Sequence, residues 1–376
     1  MSPPSSAKPG LELEVRQSAP MALQGRFGCQ PGELLALVGP SGAGKTSMLR
    51  VLAGLMRPQA GRVQVGGEVW CDTERALWLP PQARHVGLVF QDYALMPHLT
   101  ALQNVALALL HLPRRQRDLE ARRWLQHMKL AEPQLHSRPA QLSGGQQQRV
   151  AVARALARQP RLLLMDEPFS AVDLMNRRGL YQLIADLRRE LSIPIVLVTH
   201  DLQEARQLAD RLVVMDAGRV LQSGTPQDIH RAPRNARVAE LVGILNRFSG
   251  RWLGPADKPG VGRLQWEVEV EDGPVLEVRD KGRLDPGQAV SWVLPGDAVS
   301  LATQTSEGAH WWARVQACRH QGEVSLLELR LELPGSPCVE LLLAGHSRRG
   351  ITVGERLPVA LDLSQVHVMP VRSGSD

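Results

Sequence analysis

The sequence predicts an α/β domain built on a parallel sheet over residues 11–245, followed by a smaller all-β domain over residues 263–371. Three observations carry this. Apolar runs of strand length, Glu33–Val38, Leu162–Met165 and Ile193–Val198, stand among segments of helical spacing. After Asn246 the character changes to Gly/Pro punctuation and to period-two alternation, with Leu264, Trp266, Val268 and Val270 in one run and Leu327, Leu329, Leu331 and Leu333 in another. At 376 residues the chain is long enough for two or three hydrophobic cores. Residues 1–10, rich in Pro and Ser, read as a flexible N-terminus, and residues 246–262 as a linker.

The first strand, Glu33–Val38, runs at once into Gly39, Pro40, Ser41, Gly42, Ala43, Gly44, Lys45 and Thr46, and Ser47–Leu55 then reads as a helix with apolar Met48, Leu49, Leu52 and Leu55. This is a phosphate-binding loop in its strand–loop–helix setting. The glycines let backbone amides turn inward around phosphate oxygens, and the helix directs its positive end at them. Lys45 supplies a point charge to the terminal phosphates, the Thr46 hydroxyl is placed to ligate Mg²⁺, and Ser47 completes the candidate set. A chance match to such a pattern in a chain of this length is roughly a one-per-cent event. The loop alone leaves kinase, GTPase and transport ATPase open.

About a hundred residues on comes Leu142-Ser143-Gly144-Gly145-Gln146, opening a helix with apolar Val150, Val152, Ala153 and Leu156. It is a second helix N-terminus suited to an anion. Then Leu162–Met165 ends in Asp166 and Glu167, a buried parallel strand delivering two carboxylates to the carboxyl edge of the sheet, where ligands bind in open α/β folds. Asp166 is placed to hold Mg²⁺ through water and Glu167 to polarise an attacking water.

With these motifs in this order the sequence resembles the ABC ATPase family, whose signature is LSGGQ, across residues 11 to about 245. The resemblance implies a P-loop NTPase fold with an inserted helical subdomain, at about 92–150 here, and a head-to-tail homodimer. In such a dimer Ser143, Gly144, Gly145 and Gln146 of one subunit close over the γ-phosphate held by the other. It implies a γ-phosphate-sensing role for His200 after the strand Ile193–Val198, and a dimer-interface role for Asp173 in Ser170-Ala-Val-Asp173. It also implies that Gln91, in Val89-Phe-Gln91, reaches metal and water. ATP with Mg²⁺ is the implied cofactor pair. One departure stands out: the family usually carries an adenine-stacking aromatic some thirty positions before the loop lysine, where this chain has Arg16. A guanidinium plane can stack in its place.

Between Gln91 and the signature, Asn104–Leu135 carries helical apolar spacing with a basic stretch, Arg114–Arg117, read as a solvated face or a contact for acidic loops of a membrane partner. The second domain reads as a small oligonucleotide/oligosaccharide-binding-like barrel. In its position it resembles the tail domains of importer ATPases, which bind small solutes or regulate; a dimerising or purely structural module remains the alternative.

Trp78–Gln91, Met96–Thr100 and Leu221–Pro226 resemble importer ATPases for small inorganic or cationic solutes. The short start Leu23–Gly32, Trp70–Leu79 and the tail segment Pro295–Leu301 look most like the molybdate importer subunit. Ser306–His310 departs from that pattern by lacking its Asn, and no Arg precedes Pro295. Ferric iron, sulfate and polyamine stand as alternative solutes. The partners implied are integral-membrane permease subunits and, indirectly, a periplasmic or extracellular solute-binding protein, with the chain peripheral on the cytoplasmic face of the inner membrane.

The longest apolar stretches, such as Val105–Leu110, fall far short of the ~20 residues that span a bilayer, and the N-terminus lacks the apolar core of a secretory signal. Cys29, Cys71, Cys318 and Cys338 have neither CxxC nor His-paired spacing and read as structural thiols. The net charge of +6 is spread rather than clustered, which speaks against nucleic acid as a partner. ABC ATPases that act on DNA or ribosomes form a different-class alternative, but the sequence has neither sustained heptads nor a second cassette.

Overall fold

The computed structural model describes residues 10–170, 172, 174–268, 272–302, 310–345 and 350–371. They fall into two compact units that meet in sequence at Pro226/Gln227.

The first unit contains, in order, β1 (Leu11–Gln17), β2 (Leu23–Cys29), β3 (Leu34–Val38), α1 (Lys45–Ala53), β4 (Ala60–Val65), β5 (Glu68–Asp72), β6 (Leu77–Trp78) and β7 (Val86–Val89). There follow α2 (Ala101–Ala106), α3 (Arg114–His127), α4 (Glu132–Leu135), α5 (Gly144–Leu156), β8 (Leu162–Asp166), α6 (Leu174–Glu190), β9 (Ile195–Val198), α7 (Leu202–Leu208), β10 (Arg211–Asp216) and β11 (Arg219–Gly224). The strands make one 11-stranded sheet in the order β6-β5-β4-β1-β2-β11-β10-β3-β9-β8-β7. Its β10-β3-β9-β8-β7 half is parallel, and β1 pairs antiparallel with β2 and β4.

Strands β3, β8 and β9 are buried at every position because helices cover both faces. Alternate side chains therefore enter different cores. Leu35, Leu37, Leu162, Leu164, Val196 and Val198 join Met48, Leu49 and Leu52 of α1, whereas Leu163, Met165, Ile195 and Leu197 join Val150, Ala153 and Leu156 of α5. Helix α1 begins two residues earlier than the sequence pattern suggested, because left-handed Gly44 (φ 91°) turns the chain directly into it. It ends at left-handed Gly54, whose amide closes on Arg50 and Val51 carbonyls. Helices α2 and α3 pack against α5, and α4 against α2 and α3, as the inserted helical segment, and Thr100 and Gln103 close a reciprocal capping box at the start of α2.

The second unit opens on the end of α8 (Pro226–Arg231) and α9 (Ala236–Leu241), followed by β12 (Asn246–Pro255), β13 (Val261–Glu267), β14 (Asp272–Arg279), β15 (Ala289–Leu294), β16 (Val299–Leu301), β17 (His310–Gln321), β18 (Val324–Leu331), β19 (Cys338–Ala344), β20 (Arg356–Leu361) and β21 (His367–Pro370). Two five-stranded sheets, β14-β13-β12-β15-β21 and β16-β20-β17-β18-β19, enclose one core as an all-β, nearly closed barrel. Trp266, Trp292 and Phe248 form its aromatic centre, with ring centroids 4.5–4.8 Å apart.

Residues 246–262 are not a linker, contrary to the sequence expectation. They form β12, a turn holding Pro259 and left-handed Gly260 (φ 75°), and the start of β13, and two of the glycines that suggested a loop, Gly250 and Gly254, do strand work, as does Gly262. Gly250 lies where a Cβ would meet the Gln265 carbonyl at 2.6 Å, Gly254 sits at the β12 register shift, and a Cβ on Gly262 would strike the Trp252 ring at 2.1 Å. Asn246 itself exchanges two hydrogen bonds with the Glu340 backbone, at 2.7 and 2.8 Å, tying β12 to β19. Residues 227–245, which the sequence reading gave to the first domain, cluster with the second unit. Ser306–Ala309 lie outside the described residues.

Candidate functional site

The parallel half of the sheet carries its loops at one edge, and there the sequence-predicted residues of β3, β7, β8 and β9 converge. The phosphate loop needs its glycines sterically: Gly39 has φ 154°, and a Cβ there would lie 2.1 Å from the Met215 carbonyl oxygen. Gly42 and Gly44 are left-handed, with φ 81° and 91°. The loop is fastened by Ala43, whose amide donates to the Pro40 carbonyl at 3.1 Å and whose carbonyl accepts from Gly218 at 3.1 Å. Pro40 and Ser41 form its outer turn, and the Ser47 hydroxyl is 3.2 Å from the Met21 sulfur.

Lys45 is buried, and its ammonium lies across the loop, donating to the carbonyls of Gly39 at 2.9 Å and Pro40 at 3.0 Å. Burial lowers its pKa, and the nearby carboxylates of Glu167 and Asp166 act in the opposite sense. The Thr46 hydroxyl donates to Asp166 Oδ1 at 3.2 Å, joining the start of α1 to the end of β8. Burial raises the Asp166 pKa, as does the charge of Glu167, against the Thr46 hydrogen bond and the cations of Arg50 and Lys45. A buried carboxylate short of countercharge beside a hydroxyl is a hard-oxygen donor set that fits a divalent cation such as Mg²⁺.

Glu167 occupies a left-handed backbone conformation (φ 43°) held on both sides. Its amide donates to the Val198 carbonyl at 2.9 Å, and its carbonyl accepts from the Ser170 hydroxyl at 2.9 Å. The bend points the carboxylate at two partners: Oε2 lies 3.2 Å from His200 Nδ1 and accepts from Gln91 Nε2 at 3.4 Å. His200 is mostly exposed, but its neighbours are anchored. The Thr199 hydroxyl donates to Glu204 at 2.6 Å and accepts from the Asp201 amide at 3.0 Å, while Asp201 caps α7 through the amides of Gln203 and Glu204. The loops after β3, β7, β8 and β9 thus bring a cation, a hydroxyl, two carboxylates, an imidazole and an amide to one sheet edge.

Ser143, Gly144, Gly145 and Gln146 lie elsewhere, at the start of α5. The Ser143 hydroxyl accepts from the Gln146 amide at 3.3 Å, and the Gln146 side chain accepts from the Ser143 amide at 2.9 Å. Ser143, Gly145 and Gln146 line a hollow of about 230 Å³ with Lys129, Gln134 and Arg149. Among the described residues no hydrogen bond joins this end to the phosphate loop. Asp173 lies outside the described residues.

Two arginines escaped the sequence reading. Arg84 is buried, with no acidic partner among the described residues: its guanidinium donates to the carbonyls of Val51, Leu52, Leu79 and Trp70 at 2.7–3.4 Å and stacks 4.4 Å from the Trp78 ring centroid. It caps the C-terminal end of α1, where carbonyls and helix dipole favour a cation. Arg154 donates to the carbonyls of Tyr93 and Ala94 at 2.8 and 2.7 Å. Backbone acceptors leave no side-chain pattern in a sequence, so neither role had a local signal.

A strand–loop–helix phosphate cradle with paired acids at the same sheet edge, at the end of β8 one strand removed from β3, defines a P-loop nucleotide hydrolase. The family model described as "ABC transporter" matches residues 24–170. The spermidine/putrescine import ATP-binding protein PotA of Nitratidesulfovibrio vulgaris is 39% identical over 296 residues, covering 77% of each chain. The sulfate/thiosulfate import ATP-binding protein CysA 2 of Chromobacterium violaceum is 39% identical over 352 residues, 92% of this chain and 90% of that protein. Among solved structures, a dimeric ATP-binding cassette in a post-hydrolysis state with ADP and Pi superposes with a TM-score of 0.50 at 33% identity, covering 57% of this chain and 98% of that one. The chain belongs to the ATP-binding subunits of ABC transporters of importer type, which are ATP hydrolases coupled to transport. Among the described residues no helix is long and apolar enough to cross a membrane.

Proposed function

We propose that this chain energises uptake of molybdate or a related oxyanion, working as a homodimer on separate membrane permease subunits at the cytoplasmic face of the inner membrane. A solute-binding protein outside the membrane delivers the solute to the permease. The observation that carries the hydrolytic reading is the convergence of Gln91 and His200 on one oxygen of Glu167, beside Lys45, Thr46 and Asp166. Support for the solute class comes from Trp70–Leu79 and Pro295–Leu301, together with the sulfate/thiosulfate relative, whose match takes in nearly the whole chain including the all-β unit.

In this reading the backbone N–H groups of residues 39–47, all but Pro40, and the Lys45 ammonium grip the triphosphate, at the positive end of α1. Thr46, Asp166 and Gln91 hold Mg²⁺, which when bound neutralises charge on the phosphates. Glu167 orients the attacking water and accepts its proton, and His200 holds the Glu167 carboxylate in place while contacting the γ-phosphate. Ser143, Gly144, Gly145 and Gln146 act in trans, closing the site of the partner subunit with backbone amides and a hydroxyl, and Asp173 crosses the same interface. Closure of two such sites moves helices of the permease, and hydrolysis releases them.

Uptake of labelled molybdate, sulfate, ferric iron and spermidine, measured in cells with and without this chain, tests the solute. Loss of molybdate or sulfate uptake alone supports the oxyanion reading, and loss of iron or spermidine uptake alone overturns it.

A further inference from the structure

Helix α5 carries the signature residues at its first turn, and its last turns meet the other half of the site. Its C-terminal end packs against β7 so closely that a Cβ on Gly87 would lie 2.7 Å from the Ala155 carbonyl oxygen. Just beyond β7 comes Gln91, and two residues later the chain takes two consecutive left-handed conformations without glycine, Tyr93 at φ 61° and Ala94 at φ 43°. Both conformations cost free energy, and the loop holds them because something outside it does.

That something is Arg154. Its two terminal nitrogens donate separately to the carbonyls of these same two residues, at 2.8 and 2.7 Å, a grip to which the fixed planar fork of a guanidinium is suited. The far side of the loop is fastened independently, by buried Asn104 bonding Met96, Leu99 and Thr100. The Tyr93 ring is buried in the α5 core, so the loop cannot swing away without emptying that site.

We propose that Arg154 is a positioning residue for hydrolysis: by holding Tyr93 and Ala94 left-handed it sets Gln91 against Glu167 and makes that contact move with the signature helix. It acts through the backbone and touches neither nucleotide nor water. The inference rests on the site reading above, in which Gln91 and Glu167 work on one water.

The test is a double-mutant cycle on the full chain, reading kcat and KM for ATP by phosphate release, with folding checked by circular dichroism. Arg154→Met lowers kcat by roughly ten- to a hundredfold with KM within about threefold, because misplacing a catalytic group costs rate more than binding. Glycine enters the left-handed region without penalty. With Ala94→Gly already present, the same Arg154→Met change therefore costs at least about threefold less, a coupling that a general loss of stability would not produce. Should Arg154→Met not fold, Arg154→Lys carries the test: it keeps the charge but replaces the rigid planar fork by a shorter, compact ammonium, and its deficit must shrink in the same way with Ala94→Gly. A kcat within twofold of wild type in the first variant, or equal losses with and without Ala94→Gly, overturns the proposal. If Glu167→Gln is inactive while the cycle shows no coupling, the positioning role alone fails; if Glu167→Gln turns over normally, the site reading fails and takes the positioning role with it.

Discussion

Glu167 Oε2 lies 3.2 Å from His200 Nδ1, a pairing made between the ends of two adjacent parallel strands. The backbone of Glu167 is bent into the left-handed region to make it, and a second donor, Gln91, reaches the same oxygen. A carboxylate so held is oriented before any substrate arrives, which is what a water-activating base requires.

Replacing Glu167 with Gln keeps the shape but removes the proton acceptor. We expect kcat to fall by about 10²- to 10⁴-fold with ATP binding preserved and a nucleotide-dependent dimer accumulating. His200→Ala frees the carboxylate and should cost about tenfold or more in kcat, with KM little changed. Steady-state phosphate release and gel filtration with ATP check both, and wild-type turnover in Glu167→Gln would sink the assignment.

The in-trans role of Ser143 gives a quantitative expectation. Lys45→Ala and Ser143→Ala homodimers are each inactive, but an equal mixture re-forms one intact site in every heterodimer. Random pairing makes half the dimers mixed with one working site of two, hence about a quarter of wild-type turnover. A mixture as inactive as its components would show that the two motifs do not complete one another across subunits.

Asp166 links function to stability through pH. Burial raises its pKa in the folded protein, so the native state holds that proton more tightly than the unfolded chain. This contribution to stability is full below the ordinary value of 3.8 and is lost as pH rises through the folded pKa. Asp166→Asn should therefore melt a few degrees higher than wild type near pH 7 while losing hydrolysis, and the advantage should vanish below pH ~4. Melting curves across pH check the sign; an Asp166→Asn protein less stable at pH 7 would contradict it.

Arg84 should matter to the fold rather than to chemistry directly. Burial pulls its pKa down to about 10, and its charge is met by backbone carbonyls and the Trp78 ring. Arg84→Met strips those carbonyls of a charged donor and should cost about 3 kcal/mol in urea unfolding. Arg84→Lys, with one compact ammonium for four acceptors, should recover less than half. A cost below about 1 kcal/mol would mean that water replaces the guanidinium.

The α/β class, the phosphate loop with its lysine and hydroxyl, the paired acids at a strand end and the signature helix start were all legible in the chain before folding. These are local: each depends on the backbone freedom, charge or period of residues within one turn or strand, and that physics is written in neighbouring positions. Only the tertiary structure decided that Gln91, Glu167 and His200 meet at one oxygen, because this follows from the β7-β8-β9 strand order. It alone showed that Arg84 and Arg154 are satisfied by carbonyls, partners that every residue type carries equally. And it turned residues 246–262 from a linker into strands, since whether a glycine breaks a strand or makes room for a tryptophan depends on what lies across the sheet.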